Sequence, residues 1–217
     1  MNRTLLAFFE ACVSAVFFIP ALAWLHRKRF HDLHKAVRYG TLAFYLSAIY
    51  SLAGLPQILY CSFDANCNFR PFLYMFSDWR STGLNVLLFV PLGMMLPLLW
   101  ADFRPLWKTL LAGFGISFFI ETLQLFSLRA TDINDLMTNT AGTLVGYCIG
   151  RFILKVSARL APPDSHGDFT LVCLMVLLIM FFLQPFLFTA LWELLYGRIP
   201  RFLFFSFSSC IIPPLVV

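Results

Sequence analysis

Residues 83–100 read GLNVLLFVPLGMMLPLLW, eighteen positions with no charged side chain and one amide, Asn85. A run of this length and composition belongs in lipid, where a helix crosses the hydrocarbon core with roughly 20 apolar residues. Pro91 followed by Gly93 loosens such a helix and frees a carbonyl that needs another partner.

The rest of the chain agrees with that reading. Of 217 residues, 60% are hydrophobic, 18% aromatic and only 12% charged, with a mean hydropathy of +0.79. A soluble domain carries about 25% charged residues. The chain therefore reads as an integral membrane protein. Apolar stretches fall at about 4–25, 39–60, 83–100, 109–128, 135–154 and 169–191. The expected fold class is all-α: a polytopic transmembrane helical bundle with about six spans and a C-terminal hydrophobic segment after Trp192 whose topology stays open. Short loops leave no room for a separate soluble domain.

Net charge is +5, but the basic residues lie between apolar segments rather than in one patch, so nucleic acid is not an expected partner. They read as orientation signals. Arg27, Lys28, Arg29, Lys35, Arg38, Arg104, Lys108, Arg151, Lys155 and Arg159 follow spans one, three and five, ten of the sixteen Lys and Arg residues. Those loops are expected on the cytoplasmic side. The N-terminal apolar run precedes its basic cluster, the reverse of a signal peptide, and is read as a retained helix.

Six cysteines without a CxxC pair argue against a zinc site. Cys61 and Cys67 share one loop and are candidates for a disulfide if it faces an oxidising space. His26, His31, His34 and His166 fall in expected cytoplasmic loops. No phosphate-binding Walker loop, GxSxG elbow or HExxH helix occurs.

Against this background residues 120–142, IETLQLFSLRATDINDLMTNTAG, concentrate polar side chains. Glu121 is expected about two turns inside the fourth span, with Gln124 on the same helical face. Intramembrane carboxylates are costly, so Glu121 must face protein or water. Asp132, Asp135, Asn139, Gly142 and Gly146 follow at spacings of three and four, one stripe of the fifth helix. Gly142, Gly146 and Gly150 permit close helix approach. Arg129 in the turn is a natural counter-charge, Asn85 is expected at similar depth, and Glu10 of the first span is a further lining residue.

Each has a plainer reading. Asp132 and Asp135 sit where an N-cap and a first-turn acid belong. Arg129 can pair with either at the interface, and Glu121 with Gln124 can bind neighbouring helices together. Convergence of all of them at one depth is what the plain readings leave unexplained.

In order and spacing, three segments resemble the VanZ-like family of teicoplanin-resistance membrane proteins: LNVLLFVPLGMML, IETLQLF and RATDINDLMTNTAGTLVG. The matching positions are Asn85, Phe89, Pro91, Gly93, Glu121, Gln124, Thr131, Asp132, Asp135, Asn139 and Gly142. The resemblance implies a multi-pass protein of the bacterial cell membrane. It divides the chain into a two-helix extension (1–76), a VanZ-like core (77–155) and a C-terminal helix with an apolar tail (156–217). Members have been proposed to act on lipid head groups.

Two functions compete. As an enzyme, Glu121, Asp132 and Asp135 are the catalytic candidates, one of them a general base. Arg129 would hold a phosphate, and Asn85, Gln124 and Asn139 would orient the head group. As a non-catalytic lipid or glycopeptide binder, the same outward-facing pocket would hold its ligand unchanged. A transporter is the third option, disfavoured by the lack of ionisable residues in the inner halves of the spans. The expected partner is a membrane lipid or lipid-linked cell-wall precursor. No cofactor is expected, Mg²⁺ held by Glu121, Asp132 and Asp135 being a minority alternative.

Overall fold

The computed structural model describes residues 3–30, 33–59, 61–63, 67, 68, 70, 72, 79–127, 131–156 and 166–197. Arg129, His31, the 162–165 part of the Pro-Pro turn and the tail 198–217 lie outside the described residues. The fold is all-α, as expected. In chain order it has α1 (Arg3–Leu25), a π-helical turn (His26–Phe30), α2 (Leu33–Ala53), α3 (Trp79–Leu99), a 3₁₀ turn (Ala101–Phe103), α4 (Leu106–Gln124) and α5 (Ile133–Val156). A last helical rod runs through α6 (His166–Leu178), a π segment (Ile179–Leu183) and α7 (Gln184–Tyr196). A two-residue β1 (Cys67–Asn68) pairs in parallel with β2 (Thr131–Asp132).

Among the described residues, four stretches are long and apolar enough to cross a membrane: Leu5–Lys28, Trp79–Leu99, Leu106–Gln124 and Asp168–Leu195. The helices α2 and α5 carry more polar groups, but much of that polarity is turned inward. Ser47, Ser51, Asn134, Thr138, Asn139 and Thr143 are all buried. Hydroxyls on helices satisfy themselves on the preceding turn: Thr138 donates to the Asn134 carbonyl at 3.0 Å and Thr143 to that of Asn139 at 3.0 Å. Large apolar side chains such as Phe8, Ile19, Leu87 and Phe152 are exposed instead.

The chain divides into two compact units. The first holds Met1–Asp64, Leu123–Arg129 and Val172–Val217. In it, α1 and α2 meet through small side chains, with Ala11 and Ala43 fully buried and the Ser14 and Ser47 hydroxyls 3.3 Å apart. The second span expected at 39–60 is corrected: α2 covers Leu33–Ala53 and stops there. Gly54 adopts φ 63°, its N–H bonds the Ser51 carbonyl at 3.1 Å, and Leu55 N–H bonds that of Tyr50 at 3.2 Å. This is a Schellman ending, with Pro56 beyond it. In the last rod Pro185 lacks the N–H that the Phe181 carbonyl would take, and Ile58 N–H supplies it at 3.0 Å.

The second unit holds Ala65–Thr122 and Ala130–Leu171. Its centre is the contact of α3 with α5. A methyl placed on Gly142 or Gly146 would collide with the Val86 or Val90 carbonyl oxygen, and one on Gly150 would lie 2.8 Å from that of Met94. Three glycines four residues apart thus rest on three carbonyls four residues apart, so the helices run in the same direction. Gly93 is closed in the same way by the Thr143 carbonyl. Near the other end, Trp100 is fully buried against Phe103 and Phe169, ring centroids 6.1 and 5.4 Å away. Cys61 and Cys67, the candidate disulfide pair, are free thiols.

Candidate functional site

The polar residues of the second unit gather where α5 begins. The helix α4 ends at Gln124, so Glu121 lies in its last turn rather than two turns inside. A carboxylate at a helix C-terminus is disfavoured by the helix dipole. The start of α5 compensates: Asp132 N–H donates to Glu121 Oε2 at 2.9 Å. The Thr131 hydroxyl donates at 2.9 Å to the Glu121 carbonyl, one of the four that a helix end leaves open. Glu121 is only 5% exposed.

Asp132 is the N-cap of α5. Its Oδ1 accepts the Asn134 N–H at 2.9 Å, the bond an N-cap side chain makes to the second helical residue. Its Oδ2 accepts the Asn68 amide at 3.2 Å. The Asn68 Oδ1 in turn accepts Arg70 N–H at 3.1 Å. Asn134 is buried and ties down the preceding loop, accepting Phe72 N–H at 2.7 Å and donating to the Arg70 carbonyl at 3.4 Å. Phe72 has φ 63°, a left-handed conformation that bulky residues rarely adopt. Its bond to Asn134 helps to hold it there.

One turn further, Asp135 Oδ1 accepts the Asn85 amide of α3 at 2.6 Å. This short contact to a carboxylate is of the stronger kind. Asn139 donates to Ser117 Oγ of α4 at 2.9 Å. Its Oδ1 is buried with no donor among the described residues. Such an orphan acceptor costs about 1–3 kcal/mol and marks a place for water or a ligand donor.

Glu121 and Asp132 are thus joined through the start of α5, while Asp135 with Asn85 and Asn139 with Ser117 make separate bonds within the first two turns of the same helix. Asn85, Asp132 and Asp135 are half-buried, while Glu121, Asn134 and Asn139 are buried. Gln124 has a different partner: its Nε2 donates to the Ala53 carbonyl at 3.2 Å in the first unit, and its Oε1 finds no donor among the described residues. Glu10 is half-buried on α1 of that unit. The expected counter-charge, Arg129, lies outside the described residues. Among the described residues no three His, Cys, Asp or Glu side chains gather as a metal site.

Sequence reasoning missed Asn68, Asn134 and Ser117. Asn134 had a local signal, standing between the two acids of DIND; Asn68 and Ser117 had none, because β1 pairing and the α4–α5 contact bring them in.

A family model described as VanZ/LLP1 matches residues 42–154, more than half of the 217-residue chain. No curated protein and no solved structure matches it. The matched region contains Asn68, Asn85, Ser117, Glu121, Asp132, Asp135 and Asn139, the whole cluster. Four helices have the length and apolarity of membrane spans. The chain belongs to the VanZ/LLP1 family and is a membrane protein.

Proposed function

We propose that this is a multi-pass protein of the bacterial cell membrane whose cluster at the start of α5 binds the polar head group of a membrane lipid or lipid-linked envelope precursor. The distribution of basic residues supports an outward-facing cluster. The observation that carries the reading is that Asn85, Asp132 and Asp135 are half-buried and Glu121 and Asn139 buried, all hydrogen-bonded at or beside the start of α5. In a chain with 12% charged residues, carboxylates left half-buried beside a helix start are costly in lipid and suit contact with a polar head group.

The roles divide by how each carboxylate is used. Asp132 spends one oxygen on the Asn134 N–H and the other on the Asn68 amide, so it positions the loop and the helix start. Asn85 and Asp135 stand at the accessible edge and meet the head group. Asn139 offers its buried carbonyl oxygen, which has no donor among the described residues. Arg129 supplies the phosphate contact in this proposal, and Gln124 braces the end of α4.

Recognition without turnover is the better supported form. Asp132 accepts from a backbone N–H and an amide, Glu121 from a backbone N–H and Asp135 from an amide. These carboxylates thus hold backbone and amide donors in place, a positioning use rather than proton transfer. A catalytic reading rests on Glu121, whose shielding from water suits a general base.

Incubating the purified protein with a total envelope lipid extract, then recording the masses of bound and released lipid, separates the two. Selective retention of unaltered lipid, lost in Asp135→Asn and Asn85→Ala, supports binding. A changed lipid mass that disappears in Glu121→Gln supports catalysis. Equal lipid retention by wild type and all three variants sinks the proposal.

A further inference from the structure

A second cluster of opposite charge occupies the other end of the second unit. It does not rest on the head-group proposal, because Asp135 and Arg151 lie about 24 Å apart along α5, a helix of 24 residues. Tyr147 of α5 donates its hydroxyl to the Arg104 carbonyl at 2.8 Å, which fixes α5 beside the start of α4. Arg151 and Lys155 follow Tyr147 at steps of four, on the same face. Arg104 and Lys108 stand before and within the first turn of α4. Four cations thus collect from two helices, and Asp102 is the one acid in segments 100–108 and 145–156.

Two features point to an external anion. Cations at a helix N-terminus oppose the helix dipole, whereas an anion there is favoured by dipole and free N–H groups together. The charges of Arg104 and Lys108 therefore run against the α4 dipole. Arg104 Nε is also buried with no acceptor among the described residues.

The anion's source is set by what surrounds the cations. Trp107 is 63% exposed, with the Lys108 ammonium 5.6 Å from its ring centroid. Exposed Leu111 and Phe118 continue along α4, and exposed Ile149, Phe152 and Val156 along α5. Both apolar rows run into the basic residues, so acyl chains lying along them would deliver a phosphate to the cations. Tryptophan beside lysine is the pairing found where a helix leaves the hydrocarbon region.

We propose that Arg104, Lys108, Arg151 and Lys155 form a binding site for the phosphate head group of an anionic glycerophospholipid. The test uses the full chain in a neutral detergent and short-chain phosphatidylglycerol as probe, with thermal unfolding as readout. Phosphatidylglycerol should raise Tm in a saturable way, while short-chain phosphatidylcholine and chain-free glycerol phosphate should not. Lys108→Gln with Arg151→Gln should weaken the response roughly 25-fold, at about fivefold per charge near a lipid surface. The charge-keeping pair Lys108→Arg with Arg151→Lys should retain it, as should Arg27→Gln with Lys28→Gln on the first unit. The proposal is overturned by an equal shift with phosphatidylcholine, by glycerol phosphate acting alone, by an unchanged response in the Lys108/Arg151 charge-removed pair, or by equal loss in the Arg27/Lys28 pair.

Discussion

The two halves of α5 rest on the same neighbour, α3, by opposite means. Near its start the contact is made by a polar side chain that reaches out, in the 2.6 Å bond between Asn85 and Asp135. From Gly142 to Gly150 it is made by the absence of side chains, which lets the backbone settle on the carbonyls of Val86, Val90 and Met94. The glycine half has no room for another molecule. The polar half leaves acids half-buried and one amide oxygen without a donor among the described residues. One helix therefore joins a structural seam to the proposed site, and the seam sets the helix spacing within which Asn85 reaches Asp135.

This contrast is open to attack from both sides. The largest effect is expected in the seam. Gly146→Leu forces a side chain into the Val90 carbonyl, backbone that cannot swing aside. The expected loss is about 3 kcal/mol or more, seen as failure to obtain folded protein by size-exclusion chromatography in detergent. Gly146→Ala should lower stability by about 1–3 kcal/mol in chemical unfolding. A neutral Gly146→Ala would show that the helices are not held this closely.

The next effect separates capping from function. Asp132→Ala loses an N-cap and should cost about 1–2 kcal/mol, whereas Asp132→Asn keeps the acceptor and should cost only a few tenths. If both variants cost the same, the charge of Asp132 matters beyond its cap. A smaller effect is expected for the α3–α5 polar contact. A double-mutant cycle on Asn85→Ala and Asp135→Ala should give a coupling of about 0.5–1.5 kcal/mol. Zero coupling would mean that the contact holds nothing, leaving both residues to other partners.

The helices were legible wherever apolar residues run unbroken, as in 83–100, where α3 covers Trp79–Leu99. Misreadings came from following hydropathy past a stop signal. Gly54 and Pro56 end α2 at Ala53 although apolar residues continue to Tyr60. The turns after Gln124 likewise end α4 inside an apolar stretch. The α5 stripe was legible because its spacing is helical and local. Asn68 and Ser117 were not, since only strand pairing and helix contact place them. Gln124 shares a helical face with Glu121, yet its hydrogen bond goes to Ala53, which spacing along one helix cannot reveal.

The central claim is that the start of α5 serves a ligand while its glycine half serves the fold. The most direct test measures lipid retention and unfolding together in Asp135→Asn and Gly142→Ala. Asp135→Asn should unfold within about 1 kcal/mol of wild type but lose most of its selectively retained lipid. Gly142→Ala should be clearly destabilised, and the fraction that stays folded should retain lipid as wild type does. If the two variants lose stability and lipid in the same proportion, the start of α5 is part of the scaffold and the claim is wrong.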